Sequence, residues 1–274
     1  MLELMFITND PLLAHDVCAA GVSRIFVDWE IIGKAERQGH LDTVQSKHSF
    51  EDAVAVRRAI PSSELLVRLN PFGNHTGDEV EMAVSAGADL VMLPMFHSHE
   101  EVKALSEMLA GRAKIVPLFE TALSLGEVDE VCGISGVYEI YVGLNDLHLA
   151  LNSGFMFDPL AGGLLDPISA AALSNKLRFG FGGIARVDEG DIPGKMVLGE
   201  HVRLRSSSVI LSRTFFREGD SQTPREVFTK EIAKLKKEWS RQQQLPSSEM
   251  DANAAIFVEK VHEVSSSISG ANYD

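Results

Sequence analysis

Residues 113–152 read AKIVPLFETALSLGEVDEVCGISGVYEIYVGLNDLHLALN, two short apolar runs that each end in a carboxylate. The first closes on Glu120 and the second on Asp146, and the acidic amphipathic link between them is about long enough for one helix and its turns. An uninterrupted apolar run with an acid at its C-terminal end is the pattern of a parallel strand, buried on both faces, whose last residue emerges into a site. Two such acids on neighbouring strands converge. Hard cations such as magnesium and manganese favour carboxylate oxygens, so Glu120 and Asp146 are read as a two-carboxylate metal site completed by water and substrate. The alternative for either acid is a helix cap or a simple ion pair with a nearby base.

Outward from this stretch the same unit repeats. Leu4–Thr8 is an apolar run, Asn9 and Asp10 offer a cap ahead of Pro11, and the following helix stops at Gly21. RIFVDWE, residues 24–30, is the second run and also ends in acids. Ile31 to Lys47 reads as a polar, non-periodic loop of the kind that carries function. Ser49 with Asp52 then resembles a capping box for a helix reaching about Ile60. ELLVRLN, ADLVMLPM, LRFGFGGI and SSVILSR supply further runs, and helical patterns are placed at 78–86, 98–111 and 123–131.

Eight apolar runs, most followed by a helical segment, mean a parallel sheet, because each return to the same edge needs a crossover. Eight repeats in 274 residues favour closure into a (β/α)8 TIM barrel over an open sheet. The barrel is assigned to residues 1–222. Residues 223–274 are expected to be C-terminal helices, the first closing the barrel and the second packing on a neighbouring subunit or held loosely. A barrel of this type carries its site at the C-terminal ends of the strands, where Asp28, Glu30, Arg68, Asn70, Glu120 and Asp146 fall.

The formal net charge of -14 sets the surface against phosphate backbones and anionic lipid, so nucleic-acid and membrane partners are not expected. Cys18 and Cys132 lack disulfide or zinc spacing and read as buried free thiols of a reducing compartment. With no signal-like N-terminus and no window long enough for a membrane span, the expected location is cytoplasmic.

The order VDWE with Lys34 and Arg37, VRLN, ADLVMLP, PLFETA and YVGLNDL resembles the HpcH/HpaI aldolase and citrate lyase beta-subunit family of metal-dependent barrels that act on pyruvate-like substrates. The resemblance implies that Glu120 and Asp146 bind Mg2+ or Mn2+, and that Arg68 binds the keto-acid oxygens and stabilises an enolate. It further implies that the backbone at Gly143, Leu144 and Asn145 receives the substrate carboxylate. The activity implied is carbon–carbon cleavage or formation beside the carbonyl of a 2-oxo acid such as pyruvate or oxaloacetate, with an aldehyde or acyl acceptor; the homo-oligomer is expected from the second C-terminal amphipathic segment. A cation chelated by the keto acid and an always-charged arginine suit a developing enolate. No strand carries a desolvated lysine of the kind a Schiff-base aldolase uses.

The sequence departs from both branches of that family. Ile31 and Leu118 stand where the pyruvate aldolase branch has a histidine and a glutamine, and Ile31 and Met95 where the citrate lyase branch has an acid and a lysine. The proton-moving group is therefore open among His40, His48 and His148. Lys34 and Arg37 are read as binders of an anionic substrate group, or as partners of Glu30 and Glu36. An acyl-CoA lyase of citrate lyase or malyl-CoA type, and a barrel that binds a metabolite without catalysis, are the alternatives.

Overall fold

A computed structural model describes residues 2–34, 48–216 and 222–271, with side chains described to residue 268. Arg37 and His40, both named above, lie outside the described residues. Eight parallel strands close a barrel in sequence order: β1 Glu3–Ile7, β2 Arg24–Asp28, β3 Glu64–Arg68, β4 Leu90–Leu93, β5 Lys114–Phe119, β6 Glu139–Val142, β7 Arg178–Ile184 and β8 Ser208–Leu211, with β8 paired back to β1. This is the α/β architecture expected from the repeat.

The helices are α1 Pro11–Ala19, α2 Phe50–Ala59, α3 Thr76–Ser85, α4 His99–Leu109, α5 Val128–Cys132, α6 Leu144–Ala150, α7 Asp158–Ala161, α8 Leu165–Ser174, α9 Gly194–Arg203, α10 Pro224–Gln242 and α11 Ser247–Ala271. Local sequence explains several of their starts. Asp10 caps α1 by accepting from the amides of Leu12 and Leu13, and Ser49 with Asp52 forms a complete capping box on α2. The single helix expected over 123–131 is instead a 3-10 turn, Ser124–Glu127, followed by the short α5. Gly126 and the β-branched Val128 and Val131 leave that segment little intrinsic helix preference, so packing decides its form.

Side-chain alternation along the strands divides the core in two. Ile25, Val27, Leu65, Val67 and Val91 point outward into the layer shared with the helices. Met5, Phe26, Leu66, Met92, Leu118 and Tyr141 fill the barrel interior. The same period of two sends Arg24, Phe26 and Asp28 to one side of β2, so a charged group lies at each end of the lumen with an aromatic ring between them. At the N-terminal end Arg24 is fully buried between Glu139, at 3.0 Å, and Glu64, at 2.8 Å.

Of the C-terminal helices, α10 packs against α1 and α9, and α11 against α9 and α7. Phe228 of α10 meets Phe6 edge-on, and α11 buries Phe257 and Val261, with Phe257 against Phe157. The second C-terminal helix, expected on a neighbouring subunit or loosely held, thus buries one face on its own chain. Of the two thiols expected to be buried, Cys132 is, and Cys18 is half-exposed. Among the described residues no helix is long and apolar enough to cross a membrane.

Helix α9 carries His201, fully buried and stacked on Phe181 with ring centroids 3.8 Å apart, its Nδ1 bonded to Ser206. Burial pushes this imidazole down to about 3. The folded protein therefore holds His201 neutral, while the unfolded chain takes up a proton near pH 6.5. Stability from this group is complete above that pH and falls as the pH drops from 6.5 toward 3, by about 1.4 kcal/mol per unit. Urea unfolding of wild type and His201→Leu from pH 7 to pH 4.5 should show that slope in the wild type and lack this component in the variant.

Candidate active site

The C-terminal mouth of the barrel gathers an unusual density of charge. Asp28 ends β2 and Arg68 ends β3, and the two are direct register partners. Arg68 donates from Nε to Asp28 Oδ1 and from Nη2 to Oδ2, both at 2.8 Å, a bidentate pair over the face of Phe26. Lys34 Nζ donates to the same Oδ2 at 2.6 Å. Glu30 lies 3.3 Å from Arg68 Nη2 and 3.9 Å from Lys34 Nζ. Burial alone would raise the Asp28 carboxyl, but Arg68 and then Lys34 hold it well below the usual carboxylate range.

Glu120, one residue past β5, keeps the inward parity of Val116 and Leu118 and is only 2% exposed. Its Oε1 accepts the amide of Met95 at 3.1 Å. Met95 adopts φ +52, a left-handed conformation that costs a non-glycine residue about 1 kcal/mol and here aims its N–H at the carboxylate. Gly143 makes room on the other side: a Cβ there would stand 2.6 Å from Glu120 Oε2. Burial pushes the Glu120 carboxyl well above the ordinary range, and the nearby charges of Asp146 and then Glu30 push it further, against Arg68. Asp146, buried in the first turn of α6, thus lies within electrostatic reach of Glu120, as do Glu30 and Arg68.

The other sequence candidates divide. Gly143, expected to offer its N–H to a carboxylate, donates it to the Phe119 carbonyl at 3.0 Å, so its contribution is the space beside Glu120. Leu144 and Asn145 open α6, where the first amides lie outside the helix ladder. His48 Nδ1 accepts the backbone N–H of Asp28 at 3.0 Å, which commits that lone pair. Burial lowers its pKa, with Asp28 and Asp52 opposing. The buried His148 donates from Nδ1 to the Leu144 carbonyl at 3.2 Å, one turn back in its own helix. Lys34 pairs first with Asp28 and only then with Glu30, the partner expected from sequence.

The sequence places Asp28 and Asn70 at the mouth but not their roles, Asp28 tying both cations and Asn70 holding the turn after β2, and it does not give the Met95 amide a role. The Asn70 carboxamide accepts from the amides of Ile31 and Ile32, at 2.8 and 2.9 Å, and is fixed by Glu79 at 2.6 Å. The acid at the end of VDWE was the available signal for Asp28. Nothing local marks the Met95 amide.

Against known proteins, the family model for HpcH/HpaI aldolase/citrate lyase matches residues 8–154, the segment from the first βα loop to the end of α6. The chain belongs to this family. Membership carries a lyase-type function with it. Among solved structures, an HpcH/HpaI aldolase from Desulfitobacterium hafniense DCB-2 superposes with a TM-score of 0.59 at 15% identity, covering 89% of this chain and 94% of that one. An HpcH/HpaI aldolase/citrate lyase family protein from Burkholderia cenocepacia J2315 gives 0.58 at 17%, covering 77% and 86%. Citrate synthase SbnG gives 0.58 at 14%, covering 89% and 95%. At these identities the likeness is one of fold. No curated protein matches the chain.

Because Asp28 neutralises two buried cations, its loss is costly. Asp28→Asn should lower unfolding free energy by about 3–5 kcal/mol at pH 7. A carboxylate held below its unfolded pKa stabilises above that value and loses its effect as the pH falls through the range below about 4. The gap between wild type and variant in urea titrations should therefore be full at pH 7 and shrink below pH 4.

Proposed function

We propose that this protein is a divalent-metal-dependent carbon–carbon lyase of the aldolase type, acting on a 2-oxo acid such as pyruvate or oxaloacetate through an enolate. The observation that carries the reading is that Arg68 at the end of β3 and Asp146 in the first turn of α6 both act electrostatically on the buried Glu120 just past β5. The family is generally dependent on a divalent metal.

The residues fit such an ion. Glu120 and Asp146 would supply two oxygen ligands and leave the remaining positions to water and substrate; among the described residues no group of three or more His, Cys, Asp or Glu side chains is arranged to hold a metal. Glu120 is crowded by like charge and seated in a cradle that a Cβ at residue 143 would fill, which suits a carboxylate that meets a cation rather than solvent. When bound, a Mg2+ or Mn2+ ion polarises the keto-acid carbonyl as a Lewis acid.

The chain's own groups do the rest. Arg68 cannot lose its charge and is held in one orientation by Asp28, so it meets the oxygen on which negative charge develops without reorganising. Its Nε and Nη2 face Asp28 and Glu30. The amides of Leu144 and Asn145 suit the substrate carboxylate. An aldehyde or acyl acceptor then approaches from the open mouth.

The test is proton exchange at the methyl group of pyruvate, together with oxaloacetate decarboxylation, assayed with Mn2+ and again with chelator. Both activities should require the metal, and both should fall at least a hundredfold in Glu120→Gln and in Asp146→Asn; full activity under chelation would refute the reading. Gly143→Ala forces the Glu120 carboxylate from its place, so Mn2+ affinity measured by titration calorimetry should drop at least tenfold while the fold, read by circular dichroism, is retained.

A further inference from the structure

The turn after β2 has inverted polarity. Ile31 and Ile32 are 60% and 51% exposed, whereas Lys34, two residues on, is 5% exposed. Apolar side chains usually go in and ammonium groups out, since burying a charge costs far more than leaving an isoleucine in water. Here the backbone is built to do the reverse. Asn70 accepts both isoleucine amides and is itself locked by Glu79, while Gly33 takes φ +73, a conformation open to glycine, and turns the chain back into the mouth. Lys34 Nζ ends on the same Asp28 oxygen as Arg68 Nη2, so the ammonium stands beside the guanidinium assigned to the enolate oxygen.

Among the described residues, several other polar atoms of the mouth are committed. His48 Nδ1 takes the Asp28 amide, His148 Nδ1 is bonded within its own helix, and Asp28 is held as a carboxylate by two cations. Arg68 does not exchange its proton at ordinary pH. Glu30 is engaged by Arg68 and Lys34 together. A buried lysine beside the guanidinium is a group whose proton can be handed over and recovered.

We propose that Lys34 is the proton carrier of this site, delivering a proton to the enolate carbon and removing it in the reverse direction. Delivery breaks an N–H bond of the ammonium and forms a C–H bond. The enolate double-bond pair becomes the C–H bond, the carbonyl is restored, and the amine regains a proton from water. No Schiff base is involved. The inference rests on the proposed lyase reading, and its substrate class is a 2-oxo acid with hydrogen on the carbon next to the carbonyl.

Lys34→Arg separates charge from proton transfer, because a guanidinium keeps the pairing with Asp28 but does not release its proton. Pyruvate exchange is followed by NMR in deuterated buffer with Mn2+, while Mn2+ affinity and binding of oxalate, a planar mimic of the enolate, are measured by calorimetry on the same samples. Lys34→Arg is expected to bind both within threefold of wild type and to lose exchange at least a hundredfold. Lys34→Ala, checked for fold by circular dichroism, should recover exchange with added primary amines, more strongly as the amine concentration rises. Exchange retained above that hundredfold limit in Lys34→Arg, or lost only in proportion to oxalate binding, overturns the inference and assigns Lys34 to positioning. So does abolition of exchange by His40→Gln or Glu30→Gln while Lys34→Arg keeps it. Absence of exchange in the wild type overturns the lyase reading itself, and this inference with it.

Discussion

Arg68 and Asp28 are neighbours because β2 and β3 run parallel in a register that sets them side by side, and they point inward because both lie at the end of a strand whose alternate residues face the lumen. The pair they form is bidentate and almost wholly shielded from water. Shielding makes each charge expensive to leave alone, and the shared geometry makes the pair directional. The rest of the mouth depends on that pair. It fixes the guanidinium and anchors Lys34. It also places the His48 ring, through the Asp28 amide, on the outer side of the same residue.

Across the lumen the balance is reversed. Glu120, Asp146 and Glu30 crowd together with Arg68 as the nearest compensating cation, and the protein answers with dipoles and space: an amide from a left-handed Met95 and the missing side chain at Gly143. Among the described residues, Arg68 and Lys34 pair with Asp28 and Glu30. Like charge gathered on a buried Glu120 is costly and would be offset by a dication, which is the physical content of the proposed metal requirement. At the opposite end of the barrel Arg24 meets Glu64 and Glu139, where opposite charges are paired in place. The contrast between the two ends separates a plug from a reaction site.

The expectation of a (β/α)8 barrel agrees with the structure because its basis is local and repeated. Each strand is a short apolar run, each crossover carries a helix signal such as Asp10 or the Ser49–Asp52 box, and eight such units close a ring. The helix expected over 123–131 divides because its apolar spacing does not outweigh a glycine and two valines of weak helix preference. The acids at strand ends were legible for the same reason as the strands. A carboxylate after an apolar run is conspicuous, and parity predicts which way it points.

What sequence alone determined is therefore the barrel, its repeat order, and the set of charged residues at its mouth, since these follow from hydrophobic period and from residue type along a single stretch of chain. What only the tertiary structure decided is who meets whom. The sharing of Asp28 between Arg68 and Lys34, the commitment of His48, the amide that Met95 gives to Glu120 and the Asn70 clamp that buries a lysine while exposing two isoleucines all join residues brought near by barrel closure. Those contacts depend on strand register and on distances of a few ångströms between separate loops. No local pattern of residue types encodes either one.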